Sequence, residues 1–126
     1  MNHKKQPFEQ IERTINWNTV RGNTPGTLSW KLEVDMLQEE LDELKEAIQS
    51  GDMVGAFDAL LDLKFVLTGT LGKMALSPQQ IVDGYEAVIT ANETKSETKN
   101  EEGKITKPSD FVGPEPKLQQ LLLERK

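Results

Sequence analysis

At 126 residues and 14.2 kDa, with 36% hydrophobic residues, the chain has material for one small domain whose own core supplies only modest stability, which points to oligomerisation. A formal net charge of −6 and a pI near 4.8 exclude a general nucleic-acid binder, since neutralising phosphates needs a basic surface, and suit divalent cations instead. The lack of cysteine excludes a disulfide framework and a thiolate metal site and makes a cytoplasmic address the simpler reading, while the lack of a signal-peptide core or an apolar run of ~18 residues gives no sign of export or of a membrane span.

In chain order, Phe8, Ile11, Ile15 and Val20 recur at helical spacing over residues 7–20, and the turn-forming run 21–26 breaks the pattern, which predicts a first helix and a loop. Thr27 or Ser29 can cap a second helix that runs to about Ser50, where Gly51 and Asp52 end it. On that helix Leu37, Leu41, Leu44 and Ile48 make a narrow stripe expected to face the core; Glu33, Glu40 and Glu43 flank it, and Asp42 and Glu46 point to solvent. The third helix starts near Met53 and continues towards Thr70 or Met74. Between Val54 and Leu67 it is apolar almost all round except for Asp58 and Asp62. Ser77 and Pro78 open a fourth helix that passes Tyr85 and Val88 to about Thr90. From Asn92 to Pro116 the chain turns polar and Lys-rich, with Gly103, Pro108, Gly113 and Pro114, and reads as an arm that is ordered by itself or on a ligand; a short helix from Lys117 to Glu124 closes the chain. No alternation long enough for a strand is present. The fold class is therefore all-α: one domain over 1–126, a compact four-helix core over about 7–91 with a polar arm over about 92–126.

The acidic residues of the second and third helices carry the chemistry. Asp58 and Asp62, four apart, project from one side of an apolar helix, and a carboxylate buried there needs a cation, a donor or a metal as partner. An antiparallel hairpin through Gly51 and Asp52 would let Glu40, Glu43, Asp58 and Asp62 meet across one seam. Their mutual repulsion is relieved most simply by a divalent cation. Oxygen ligands without His or Cys favour Mg²⁺, with Mn²⁺ as the alternative, and Mg²⁺ bound through carboxylates commonly meets phosphate oxygens as well. The single His3 reads as a terminal residue rather than a ligand or base.

The segment Glu39-Glu40-Leu41-Asp42-Glu43, followed by Asp58-Ala59-Leu60-Leu61-Asp62, resembles the metal-binding pattern of the all-α nucleoside triphosphate pyrophosphohydrolases, the MazG-like superfamily that also includes phosphoribosyl-ATP pyrophosphohydrolases and dimeric dUTPases. Thr68-Gly69-Thr70, Ala91-Asn92-Glu93-Thr94-Lys95, Gly103-Lys104 and Lys107-Pro108 are similar to the C-terminal half of phage-type members, so the likeness covers roughly residues 28 to 116. It implies a four-helix fold assembled as a homodimer or homotetramer, acting in the cytoplasm (a host cytoplasm if the chain is phage-encoded), and cleavage of a nucleoside triphosphate into monophosphate and pyrophosphate. By the same resemblance Glu40, Glu43 and Asp62 match metal ligands, Asp58 could complete the set, and Glu39 is the candidate for orienting or deprotonating the attacking water. Many relatives carry a Glu three residues before the last Asp. Here that position is Ala59 and the acid stands at Asp58, which leaves the number of metals open.

Lys95, Lys104 and Lys107 could contact a triphosphate electrostatically, Asn92 offers a donor and an acceptor, and Trp30 or Trp17 could stack on the base. Each reading has a plainer rival. The glutamates could be a solvated helix face, the aspartates could pair with Arg13, Arg21 or Lys64, the arm could be a linker, and the tryptophans could be packing residues. A non-catalytic helical module that binds a nucleotide or a protein is the competing function.

Overall fold

Helices carry all the regular structure of this computed structural model, which describes residues 5–125; among them only an isolated antiparallel bridge between Lys99 and Ile105 has β character. His3 lies outside the described residues. The helices are α1 (Lys5–Val20), α2 (Trp30–Ser50), α3 (Met53–Lys73), α4 (Pro78–Glu93) and α5 (Glu115–Glu124), with a 3-10 turn over Pro25–Thr27. The chain divides into two compact units, one up to Pro78 and one from Gln79. Among the described residues, no helix is long and apolar enough to cross a membrane.

In the first unit, local chemistry sets the helix ends. Ser29 Oγ accepts from Leu32 N at 3.4 Å and so caps α2. At its other end Gly51 takes the left-handed conformation, φ 70°, that an L side chain resists, and Asp52 N donates back to Ala47 O at 2.8 Å. Asp52 then caps α3 through Oδ1, which accepts from Gly55 N at 2.9 Å. Two residues thus end one helix, start the next and reverse the chain.

The reversal makes α2 and α3 an antiparallel pair with one continuous seam. Near the turn, a Cβ on Gly55 would stand 3.3 Å from Ala47 Cβ. At the far end Lys73 Nζ donates to Glu33 Oε1 at 2.8 Å, and Thr70 Oγ1 lies 3.2 Å from the same oxygen. Glu33, Glu40 and Ala47 follow one another at seven-residue steps, so one side of α2 faces α3 along its length. This corrects the expected stripe. Leu41 and Ile48 are exposed, and the flank that carries the glutamates is what packs against α3. Helix α1 lies on α3 where glycines leave room: a Cβ at Gly69 would come within 2.9 Å of Asn18 Nδ2, and one at Gly72 would come 3.0 Å from Ile15 Cγ1. Buried Asn18 donates to Thr14 O and accepts from Asn23 Nδ2, which ties the end of α1 to the following loop.

The buried apolar residues of this unit are Ala47 and Ala59, while Met53, Val54, Phe57, Leu60, Leu61 and Leu67 of α3 are exposed, Phe57 to 63%. A helix apolar all round has more apolar surface than its neighbours cover.

In the second unit α4 and α5 meet at Gly84, where a Cβ would stand 3.6 Å from Leu118 Cδ2 and 3.7 Å from Leu121 Cδ1, and Gln80 Nε2 donates to Leu121 O at 3.5 Å; Ile81 and Leu121 are buried. The segment between them is ordered by its own bonds. Ser96 N donates to Thr106 O, Thr106 N to Thr98 O and Asn100 N to Lys104 O, at 3.0, 3.1 and 2.8 Å, and Gly103 turns the chain with φ 83°. The Ser96, Thr98 and Thr106 hydroxyls form a chain at 2.7 and 2.9 Å. This is a small hairpin rather than a linker.

Candidate metal and phosphate site

On α2, Glu40 and Glu43 are three residues apart and share a face; Asp62 of α3 reaches them across the seam. One carboxylate oxygen from each lies within 4.8 Å of the other two. Glu40 and Asp62 are half-buried and Glu43 is exposed, so the trio sits at the rim of the helix pair with one side open to solvent. Among the described residues, Glu40 Oε2 is buried without a hydrogen-bond partner. Burial pushes the Glu40 carboxyl up to about 7, a hydrogen bond with Glu43 adds to the rise, and the charges of Glu43, Asp62 and Glu39 contribute further. Carboxylates this close repel one another when ionised, which favours the protonated form of Glu40. The same oxygen set fits a hard divalent cation, which would take the orphaned Oε2 and replace the proton.

Not every acidic residue enters the trio. Glu39, exposed, sits next to Glu40 on the helix. Asp58 is exposed and stands outside the trio, contrary to the expected burial of both aspartates. A helix apolar on every side gives no stripe from which to read its buried face, and Ala59, not Asp58, turns inward. Among the described residues, neither aspartate forms an ion pair with Arg13, Arg21 or Lys64. Arg21 instead donates to Trp17 O at 3.0 Å and lies 4.1 Å over the Trp17 ring. That ring meets Phe65 edge-on, with centroids 5.2 Å apart. Trp30 is exposed at the start of α2.

In the second unit Asn92 belongs to the last turn of α4 rather than to the arm, and its Nδ2 donates to Val88 O at 2.8 Å. Lys95 and Lys107 converge on one ring, their Nζ atoms 5.9 and 5.3 Å from the Phe111 centroid, within the range of a cation–π contact. Lys104 is exposed in the hairpin turn, where its backbone N donates to Asn100 Oδ1. Phe111 was not anticipated from the sequence, nor was the pairing of Glu33 with Lys73. Glu33 had left a signal in its seven-residue step from Glu40; Phe111 had left none, because its place depends on the turn at Pro108, whose carbonyl accepts from Phe111 N.

A family model described as phosphoribosyl-ATP pyrophosphohydrolase matches residues 9–89, a span that runs from α1 into α4 and contains the whole acidic trio. No curated protein matches the chain.

Proposed function

This chain belongs to the phosphoribosyl-ATP pyrophosphohydrolase family and is a hydrolase of phosphoric anhydride bonds, and from that premise we propose that it cleaves a ribo- or deoxyribonucleoside triphosphate between the α- and β-phosphates, yielding the monophosphate and pyrophosphate. The observation that carries this reading is the convergence of Glu40, Glu43 and Asp62 from two helices within 4.8 Å. In this reading the trio holds a divalent cation, as the family requires, with Mg²⁺ the preferred ion and Mn²⁺ its substitute. The bound ion supplies charge neutralisation on the phosphate oxygens and acidifies a water. Asp58, exposed one helical turn before Asp62, stands outside the trio and is not assigned to the set. Glu39 takes up the water's proton and aligns its oxygen with the α-phosphorus. The bond to the bridging oxygen breaks, and pyrophosphate leaves with the electron pair; no covalent enzyme intermediate is needed.

By the resemblance noted in the sequence, Lys95, Lys104, Lys107 and Asn92 of the second unit and Trp30 of the first are the candidate substrate-binding residues: the lysines carry positive charge for phosphate oxygens, Asn92 a donor and an acceptor, and Trp30 a stacking face. The uncovered apolar side of α3 supports assembly: Met53, Phe57 and Leu60 form one face, and a second copy of the chain, in a homodimer or homotetramer, is the occupant that would bury it. We read the whole chain as one catalytic domain that acts in the cytoplasm on a small-molecule substrate. The test is to incubate the protein with each common ribo- and deoxyribonucleoside triphosphate, and with phosphoribosyl-ATP, in Mg²⁺ or Mn²⁺ and to separate the products. Monophosphate and pyrophosphate in equal amounts are expected. Diphosphate with free phosphate, or no turnover of any triphosphate, would refute the proposal.

A further inference from the structure

The helix pair that carries the acidic trio is closed at both ends by different means. At one end stands the two-residue turn, Gly51 and Asp52, with Ala47 against Gly55. At the other stands an ion pair withdrawn from solvent, with the Glu33 and Lys73 side chains 1% and 4% exposed and Thr70 Oγ1 beside the shared oxygen. The trio lies between them: Glu40 is seven residues after Glu33 on α2, and Asp62 is eleven before Lys73 on α3, about two and three helical turns respectively. Three carboxylates within 4.8 Å push α2 and α3 apart at that midpoint.

The ion pair is poorly built for stability alone. Glu33 Oε1 accepts from the lysine and has Thr70 Oγ1 at 3.2 Å, a hydroxyl whose single proton also faces Val66 O at 3.1 Å, while Glu33 Oε2 is buried with no hydrogen-bond partner among the described residues. Buried pairs of this kind are commonly replaceable by apolar residues of similar volume with no loss of stability. What apolar contact cannot supply is a fixed point. From this geometry we infer that Glu33, Lys73 and Thr70 are positioning residues, a buried clamp that holds α2 and α3 together against the repulsion of Glu40, Glu43 and Asp62 and so keeps the carboxylates assembled before a cation arrives. The inference rests on the proposed function only for the cation; the repulsion and the clamp belong to the helix pair itself.

The test uses the full chain and hydrogen exchange of the α2 and α3 amides, which reads local opening. The E33L/K73M variant replaces the clamp with apolar side chains. It is expected to remain folded, with its amides in residues 33–43 and 62–73 exchanging at least tenfold faster and those in 47–55 unchanged. Adding Glu40→Gln, which lowers the repulsion, should restore most of the protection in that background and raise it by a smaller factor in the parent. If Glu40→Gln changes exchange equally in both backgrounds, the pair is a stability element only and the inference is overturned. Should E33L/K73M fail to fold, Thr70→Val, which removes one clamp contact at constant shape, is expected to show the same coupling at smaller amplitude, and its absence there is equally decisive. A parallel Mn²⁺ titration separates the two readings. Parent protein and Asp62→Asn binding Mn²⁺ alike would sink the metal assignment and leave the exchange result to judge the clamp. With the metal assignment intact, Mn²⁺ is expected to bind E33L/K73M at least tenfold more weakly than the parent.

Discussion

Glu40 titrates near neutrality, and this ties cation binding to pH in a way that can be calculated. Its carboxyl is held at about 7 against an ordinary 4.5, chiefly by burial and then by Glu43, Asp62 and Glu39. The folded state therefore binds the proton more tightly than the unfolded one. The stabilising contribution is fully present below about 4.5 and is lost as pH rises through about 7. A shift of this size has a ceiling of roughly 3 kcal/mol at ~1.4 kcal/mol per unit, and the open side of the site reduces it by solvent screening to about 1–2 kcal/mol. For a cation the sign reverses, because it must displace that proton. At about pH 8 some ten-elevenths of the Glu40 carboxyls are ionised and at about pH 6 some one-eleventh, so apparent Mn²⁺ affinity should fall roughly tenfold between them and level off above pH 8. Calorimetric titration at both pH values, in two buffers of different ionisation enthalpy, measures the affinity and the released proton together. Glu40→Gln should bind more weakly and without the pH step. Equal affinity at both pH values, or an unchanged step in Glu40→Gln, would show that Glu40 is not the group the cation meets.

Other outcomes follow from the same geometry. Glu43→Gln or Asp62→Asn should reduce turnover to background while leaving the helical circular dichroism spectrum in place; unchanged rates in both would put the site elsewhere. Gly69→Ala should destabilise by about 1–2 kcal/mol in denaturant unfolding despite its better helix propensity, because the new methyl stands 2.9 Å from Asn18 Nδ2, whose amide is already engaged with Thr14 and Asn23. Ala75 follows α3 with φ 67°, a left-handed conformation, so Ala75→Gly should raise stability by about 1 kcal/mol, and a neutral or negative change would mean that the methyl is needed there.

The helices were legible because their ends are written in single residues. Ser29, Gly51, Asp52 and Pro78 stand where caps and breaks belong: α2 begins and ends, and α3 and α4 begin, within a residue of those marks. The acidic trio was legible for a related reason: Glu40 and Glu43 share a face by spacing, and a two-residue turn leaves α3 little choice but to return along α2. Other features were not. Asp58 was expected inside because it lies four residues from Asp62, yet the buried position is Ala59, and no periodicity in an all-apolar helix distinguishes the two. Helix α4 runs to Glu93, past the expected end near Thr90, with the Asn92 side chain bonded to the carbonyl four residues back. The Glu33–Lys73 pair joins residues forty apart, and the spacing of neither residue names the other as its partner.

The seven-residue step that joins Glu33, Glu40 and Ala47 limits how this chain can change length. One residue inserted between Glu33 and Glu40 would turn everything before it by about 100°, so that Glu33 and Glu40 could not both face α3; a whole added heptad would keep the face but carry Glu33 about 10 Å beyond Lys73. Insertions and deletions are therefore excluded from the stretch between the ion pair and the Gly51 turn, whereas the hairpin tip around Glu101 and Glu102, exposed and bonded within the hairpin itself, can lengthen or shorten without disturbing α4 or α5.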